Sequence, residues 1–278
     1  MREYSDRDVA ARVALSALVD EVDACLVDLG TGAATQLPKA ALASEGDGFF
    51  LTIAGIVPRL GLATAKWASY RPGASGAPGN STSTIIASDA TTGEPLAAIL
   101  GMWATHARTA ATAAAVARRW ATIDAHRLAF VGFGPTNRAV LDTFDALDWP
   151  FDEIAIAVRS ETSAAKLREE LVGRAVTVTT DPTTAVRGAQ LAISATGSRT
   201  PVAAMSDLAA DGIAISLDGA ATWTLDADTR AVSDRTSAVA ELFATPASPG
   251  DAPRFFDIAG SAVTDVALAS ILLGGEAR

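Results

Sequence analysis

Residues 127–138, RLAFVGFGPTNR, combine an apolar run with closely spaced glycines, a pattern that could bind a dinucleotide. The run has the composition of a buried parallel strand, and Pro135 then opens a stretch with helical spacing of apolar residues. Gly132 would permit a tight turn, Gly134 would let backbone approach a pyrophosphate, and the helix N-terminus would offer N–H groups. Asn137 replaces the third glycine of the GxGxxG pattern, so a purely structural turn is the alternative.

Polar residues also follow two other strand-like segments of this region. Arg159 and Ser160 follow the run 153–158, at a point where NAD-selective folds usually carry an acidic residue. A guanidinium and a hydroxyl suit a 2′-phosphate, so the sequence favours NADPH over NADH, and an exposed arginine without a ligand is the alternative. The run 190–195 leads into a loop at Thr196 and Gly197, where such sheets bind ligands.

Three basic residues outside this region could bind an anion. Lys66 follows a strand-like alternation, and Lys39 follows a proline. Arg108 is predicted to lie in the first turn of an alanine-rich helix, 107–122, that Thr105 caps. A cation there opposes the helix dipole, and an anion bound between Arg108 and the first-turn N–H groups would reverse that effect. Each of the three could also be a solvated surface residue.

The composition limits the classes of function. The chain has 278 residues, a net charge of −10 and a pI near 4.7, which argues against nucleic-acid binding. One cysteine excludes an internal disulfide framework, and this cysteine with two histidines disfavours a zinc site. The N-terminal stretch is polar, and no apolar run has membrane-spanning length, so we expect a cytoplasmic protein without membrane contact.

The order of predicted elements indicates two kinds of architecture. Residues 1–122 show helices followed by β-type segments between turns, which predicts an α+β domain with an antiparallel sheet. Residues 123–250 alternate strand and helix, which predicts an α/β fold with a doubly wound parallel sheet of the Rossmann type. Residues 251–278 contain an apolar helix that we expect to pack back on the first domain.

Further motifs are GEPLA at 93–97, THARTAA at 105–111, AQLAISAT at 189–196 and GSAVTDV at 260–266. Together with Lys66 and the glycine turn, they resemble the ornithine cyclodeaminase/mu-crystallin family over nearly the whole chain. The resemblance implies a homodimer whose first domain makes the subunit contact, completed by the C-terminal helix. It also implies a Rossmann domain that holds NAD(P) across a cleft from that domain.

The resemblance further implies that Lys66 and Arg108 bind the carboxylate of a small imino- or amino-acid substrate near the nicotinamide. Lys39 stands where the family commonly has an arginine, and Thr84 matches a threonine that faces cofactor and substrate. From the motifs and the resemblance together, the residues expected at the nucleotide are Thr84, Arg108, Thr109, Gly132, Gly134, Pro135, Thr136, Asn137, Arg159, Ser160, Thr196, Gly197 and Leu217.

One departure from the family bears on the reaction. Cyclodeaminases carry an acid/base aspartate after a Gly-Ala or Gly-Gly pair, and here Ala221 stands at that position. Asp218, three residues earlier, is the candidate replacement. The candidate catalytic residues are therefore Lys66, Arg108 and Asp218. The sequence predicts an NAD(P)H-dependent reductase of a cyclic α-imino acid, or the reverse amino-acid oxidation. An ornithine cyclodeaminase-type lyase and an inactive, crystallin-like NADPH-binding protein are the alternatives.

Overall fold

The computed structural model describes residues 1–73, 79–121, 125–245 and 252–274, and these fall into two compact units. The first unit comprises Met1–Ala111, Ala240–Pro246 and Gly260–Arg278. The second unit comprises Thr112–Val239 and Ala247–Ala259. The predicted limits at 122 and 250 are corrected, because the first break falls inside a helix and residues 252–259 belong to the second unit.

The secondary structure follows the predicted order of elements. The helices of the described residues are α1 (Asp6–Arg12), α2 (Leu15–Thr31), α3 (Trp103–Trp120), α4 (Pro135–Ala146), α5 (Glu161–Glu170), α6 (Pro182–Val186), α7 (Ala238–Ala244) and α8 (Ala262–Gly274). The strands are β1 (Arg2–Tyr4), β2 (Thr35–Gln36), β3 (Ala40–Ala43), β4 (Phe49–Val57), β5 (Leu62–Arg71), β6 (Asn80–Asp89), β7 (Pro95–Leu100), β8 (Arg127–Val131), β9 (Glu153–Ala157), β10 (Val176–Thr179), β11 (Leu191–Ser194), β12 (Ala203–Ala204), β13 (Ile213–Ser216), β14 (Trp223–Thr224), β15 (Ala231–Ser233) and β16 (Phe255–Asp257). Within the described ranges, every helix is too short or too polar to cross a membrane.

The first unit is built on a sheet with the strand order β1-β7-β6-β5-β4-β2, in which β3 also pairs with β4. Its pairs are antiparallel except for β1 with β7, in agreement with the predicted runs and turns. Helix α8 packs on β4 and β5. A Cβ added at Gly55 would lie 3.0 Å from the Cβ of Ala262, so this glycine lets the helix approach the sheet closely.

The pairing register decides which side chains share a face of this sheet. Lys66 pairs with Ile53 and Ile85, and all three are buried on the face that α8 covers. Trp67, one residue further, pairs with Thr84 and leaves the sheet on the opposite face, where it is 48% exposed. We call this second surface the open face, and Trp67, Thr84 and Leu100 define it.

The start of α3 differs from the prediction. Thr105 is not its cap, because the helix begins at Trp103 and the Asp6 carboxylate accepts the Trp103 N–H at 2.8 Å. Arg108 therefore lies in the second turn, and the predicted anion position at the first-turn N–H groups is occupied by Asp6. The predicted helix end at Thr122 lies outside the described residues.

The second unit contains a sheet with the order β10-β9-β8-β11-β13-β16-β15, in which all pairs are parallel. This arrangement confirms the predicted Rossmann-type fold. The strands β15 and β16 extend it beyond the predicted elements, since β16 pairs with β13 in register from Ala214 to Ser216. Phe255 and Phe256 of β16 are buried in this unit, so residues 252–259 belong to it, whereas α8 packs in the first unit.

Candidate functional site

A buried cluster in the first unit joins Lys66 of β5, Arg108 of α3 and Asp265 of α8. The Lys66 Nζ lies 3.1 Å from Oδ1 and 2.9 Å from Oδ2 of Asp265, and the Arg108 Nε lies 3.3 Å from the same Oδ1. Lys66 is 2% exposed and Asp265 is 1% exposed, so the ion pair is shielded from water. The structure thus brings two predicted site residues onto one carboxylate, and we call these three residues the Lys66 cluster.

The Lys66 cluster holds more positive than negative charge. Two buried cations face one buried carboxylate, and the exposed Lys39 also acts on Lys66 through its charge. Burial and then the charge of Arg108 lower the pKa of Lys66 to about 8, against the opposing effect of Asp265. Because a buried net charge is costly, the arrangement is suited to an added anion such as a carboxylate.

The backbone at Gly260 packs directly on the Arg108 guanidinium. Gly260 has φ +105°, and a Cβ added there would lie 2.5 Å from Nη1 of Arg108. Only glycine satisfies both that conformation and that space, so the chain leading into α8 fixes the position of Arg108. The neighbouring Thr109 donates its hydroxyl hydrogen to the carbonyl oxygen of Thr105 at 2.7 Å, and this bond stays within α3.

The structure does not bring Thr84 to the Lys66 cluster, and its expected position at cofactor and substrate stays a prediction. Thr84 lies on the open face, because it pairs with Trp67 and side chains alternate along a strand. The adjacent Ser83 is buried instead, and its Oγ accepts a hydrogen bond from the Thr105 hydroxyl at 3.1 Å. Ser83 therefore lies on the same face of the sheet as Lys66.

In the glycine turn of the second unit, Gly132 is packed against neighbouring backbone, whereas Gly134 faces open space. Gly132 has φ +77°, and a Cβ added there would lie 2.5 Å from the carbonyl oxygen of Ala195. A Cβ added at Gly134 would meet no atom of the described residues within 4 Å. Helix α4 begins directly afterwards with Pro135 and Thr136, and no described side chain caps it. This combination fits the pyrophosphate of a dinucleotide.

Asn137 holds the glycine turn from inside the unit. Its side chain is fully buried, and Nδ2 donates to the carbonyl oxygen of Gly132 at 2.7 Å and to that of Val131 at 3.4 Å. The prediction that Asn137 binds the cofactor is therefore corrected for its side chain. At the position of the third glycine, this chain fixes the turn with side-chain hydrogen bonds.

Asp218 closes the loop at Thr196 and Gly197. Its Oδ2 accepts the N–H groups of both residues at 2.5 Å, since β11 and β13 are neighbours and their ends lie side by side. The N–H of Leu217 donates to the carbonyl oxygen of Ser194 at 2.8 Å. These N–H groups, predicted to lie at the nucleotide, are thus bonded within the unit. Asp218 holds the loop in place instead of standing as an open acid/base group.

Arg159 and Ser160 follow β9 at the same edge of the sheet as the glycine turn. The N–H of Gly132 donates to the carbonyl oxygen of Ala157 at 2.9 Å, which brings the two strand ends together. Ser160 caps α5 by accepting the N–H of Ser163 at 3.2 Å, and Arg159 is exposed. An exposed guanidinium at this edge of the sheet is suited to a phosphate on the ribose.

Sequence reasoning missed Asp265, the carboxylate at the centre of the Lys66 cluster. A signal was present, because Asp265 is the only charged residue in the α8 sequence AVTDVALASILLG. An isolated acid in an apolar helix is a candidate for a buried ion pair, since an unpaired buried charge is costly. Ser83 gave no such signal, because its face depends on strand register.

Comparison with known proteins is consistent with this architecture. The sequence model of the Ornithine cyclodeaminase/mu-crystallin family matches residues 4–241. No curated protein sequence gives a significant match.

Similar solved structures include three enzymes. An archaeal alanine dehydrogenase, a dimer with bound NAD, has a TM-score of 0.83 and 21% identity, over 99% of this chain and 95% of that chain. The Thermococcus litoralis Δ1-pyrroline-2-carboxylate reductase, in complex with NADH and L-proline, has a TM-score of 0.85 and 19% identity, over 99% and 97%. The Paracoccus denitrificans iminosuccinate reductase, in complex with NAD+, has a TM-score of 0.77 and 18% identity, over 99% and 95%. At these identities the similarity shows a shared fold.

Proposed function

This chain belongs to the ornithine cyclodeaminase/mu-crystallin family, and we propose that it is an NAD(P)H-dependent oxidoreductase that reduces the C=N bond of a cyclic α-imino acid. The same groups would serve the reverse oxidation of the amino acid. The observation that carries the proposal is the surplus positive charge of the buried Lys66 cluster, which is suited to a substrate carboxylate. The reductases of similar fold that were solved with NADH or NAD+ support the choice of reaction.

The second unit has the features that a nucleotide requires. The backbone at Gly132 and Gly134 and the start of α4 would hold the pyrophosphate, and Arg159 would hold the ribose phosphate of NADPH. When bound, NAD(P)H supplies a hydride to the imine carbon. The chain's own groups must then bind the carboxylate, orient the imine and deliver a proton to its nitrogen.

Lys66 and Arg108 are the groups that bind and orient the substrate in this proposal. Arg108 presents a planar fork of N–H donors that matches a carboxylate, and its position is fixed by Gly260. The ammonium group of Lys66 has three N–H donors, of which one donates to Asp265 at 3.1 Å. A remaining N–H of Lys66 can therefore reach the substrate, either at its carboxylate or at the imine nitrogen.

An ammonia-releasing cyclodeaminase reaction is the weaker candidate. That reaction needs an acid/base group beyond the fifth Rossmann strand, and Ala221 occupies the family position. Asp218 is the nearest carboxylate in the sequence, but its Oδ2 already accepts two backbone N–H groups. In this structure that carboxylate therefore holds the loop at Thr196 and Gly197, and the family position itself carries no acid/base group.

The proposed function is tested by adding cyclic and acyclic α-imino acids to the protein with NADPH or NADH and following nicotinamide absorbance. Oxidation of the nucleotide with a cyclic imino acid is the expected result. Tight nucleotide binding without turnover of any imino or amino acid would instead indicate an inactive binding protein. Ammonia release from ornithine without added reductant would indicate the lyase.

We propose NADPH as the preferred nucleotide, and Arg159→Ala is expected to weaken NADPH binding about 10- to 100-fold while leaving NADH binding nearly unchanged. The reason is the loss of charge-assisted hydrogen bonds to the 2′-phosphate, which NADH lacks. Dissociation constants from fluorescence titration give the measurement. Arg187→Ala, at another exposed arginine of the second unit, is the matched control. Equal effects on both nucleotides would contradict this role.

We also propose a homodimer formed through the open face of the first unit. Trp67 is 48% and Leu100 38% exposed there, and Phe50 stacks on Trp67 with ring centroids 5.3 Å apart. An apolar surface of this kind on a sheet is suited to a partner. Trp67→Glu is expected to convert the dimer to a monomer in light-scattering measurements. Val172→Glu, at an 81% exposed valine of the second unit, should leave the mass unchanged. A Trp67→Glu protein of dimer mass would exclude this interface.

A further inference from the structure

Asp265 occupies a position where a carboxylate is costly. It lies in the helix α8, whose other residues carry no charge, and it is 1% exposed. Only replacement of the whole ion pair by apolar residues would remove the desolvation cost, because Asp265 is the counter-ion of two buried cations. The carboxylate is instead held by two cations, so its retention needs an explanation other than stability of the helix.

The contacts of Asp265 point to Lys66 as the residue on which it acts. Both carboxylate oxygens lie within 3.1 Å of Nζ, whereas Arg108 approaches only Oδ1, with its Nε at 3.3 Å. The charged groups that act on Lys66 from the surrounding elements are Arg108, Lys39 and Asp265. Asp265 is the negative member of this set, and the other two repel the Lys66 ammonium.

We propose that Asp265 is a positioning residue that keeps Lys66 protonated and directs its ammonium group to the imine nitrogen, which makes Lys66 the proton donor of the reduction. This inference rests on the proposed function. In the step, the C=N π bond breaks, the hydride forms a C–H bond at carbon, and a proton from Nζ forms the N–H bond. The two electrons come from the dihydronicotinamide, which is oxidised. Neutral Lys66 then takes a proton from solvent, and Asp265 stays ionised throughout.

If the proposal holds, removing the Asp265 charge weakens proton donation by Lys66 but strengthens binding of the substrate carboxylate. Without Asp265, burial and the charges of Arg108 and Lys39 would act on Lys66 unopposed, so Lys66 would lose its proton at lower pH. The Asp265 charge also repels a substrate carboxylate, so its removal should strengthen substrate binding wherever Lys66 is still protonated. A residue that only fills space would produce neither effect.

The first test measures Lys66 directly and needs no substrate. The chain has three lysines, at 39, 66 and 166, so lysine labelled with 13C at Cε gives three NMR signals that single substitutions can assign. In the wild-type protein the Lys66 signal should titrate near pH 8. In Asp265→Asn its midpoint should fall by more than one pH unit. The same substitution at Asp257, a buried acid of the second unit, should leave the midpoint unchanged. An unchanged midpoint in Asp265→Asn would overturn the proposal.

The second test follows turnover against pH. The wild-type kcat should decline above pH 8, and in Asp265→Asn this decline should begin more than one pH unit lower. At pH 6 the KM for the imino acid should fall in Asp265→Asn, whereas a structural role would raise it. If no imino acid is reduced by the wild-type protein, the proposed function fails while the NMR result still tests the coupling of Asp265 to Lys66.

The variant Asp265→Glu keeps the test decisive should Asp265→Asn fail to fold. Glutamate retains the charge but displaces the carboxylate by one methylene group. The Lys66 midpoint should stay within half a pH unit of wild type, while kcat should fall at least tenfold because Nζ is displaced. An unchanged kcat would overturn the positioning role.

Discussion

Replacing Lys66 with methionine is expected to lower kcat/KM for the imino acid about a thousandfold and to leave nucleotide binding unchanged. Methionine fills the volume of this 2% exposed side chain but removes its charge and its protons. Loss of the charge raises KM, because Arg108 alone then binds the carboxylate. Loss of the proton donor lowers kcat, since general acid catalysis contributes about 10²- to 10⁴-fold.

The matched control for this substitution is Lys166→Met, at an exposed lysine of α5 in the second unit. Its kinetic constants should equal those of wild type, and both variants should bind NADPH with wild-type affinity. Thermal unfolding checks that Lys66→Met is folded, because Asp265 keeps only its contact with Arg108. A folded Lys66→Met protein with wild-type kcat/KM would remove Lys66 from the proposed function.

The fold was predictable because its signals are local. Short apolar runs alternate with stretches in which apolar residues have helical spacing, and this order predicts the parallel sheet of the second unit. Gly132 and Gly134 mark the turn after β8. The strand β16 escaped prediction because its three residues, Phe255–Asp257, are too few to show a period. Its place in the sheet is decided by pairing with β13, which is distant in the sequence.

The candidate site was predictable only in part, because its remaining features depend on long-range contacts. The cap of α3 comes from Asp6, almost a hundred residues before the helix, so the nearer Thr105 was the natural but wrong choice. The choice between Ser83 and Thr84 depends on pairing with β5, since a shift of one residue reverses the face of every side chain. Asp265 joins Lys66 from the far end of the chain.

Gly134→Val is expected to weaken nucleotide binding about a hundredfold or more without lowering the thermal stability of the protein. The backbone at Gly134 is extended, with φ −80° and ψ −172°, and an added Cβ would meet no described atom within 4 Å. The Cβ of valine therefore fits the folded chain, and the side chain would fill the space that the pyrophosphate needs. Losing two charge-assisted hydrogen bonds to the phosphates would cost about 3–6 kcal/mol.

The contrast with Gly132 makes this substitution the informative one of the pair. Gly132→Ala should destabilise the second unit itself, because φ is +77° and the new Cβ would lie 2.5 Å from the Ala195 carbonyl oxygen. Weaker nucleotide binding by Gly132→Ala would therefore not show whether a nucleotide contact or the fold of the second unit had been lost. Gly274→Val, at an equally open glycine of the first unit, is the control and should bind NADPH normally. If a folded Gly134→Val protein binds NADPH and NADH with wild-type affinity, the nucleotide does not lie on this turn. The surplus charge of the Lys66 cluster must then serve a reaction that does not use a nucleotide bound there.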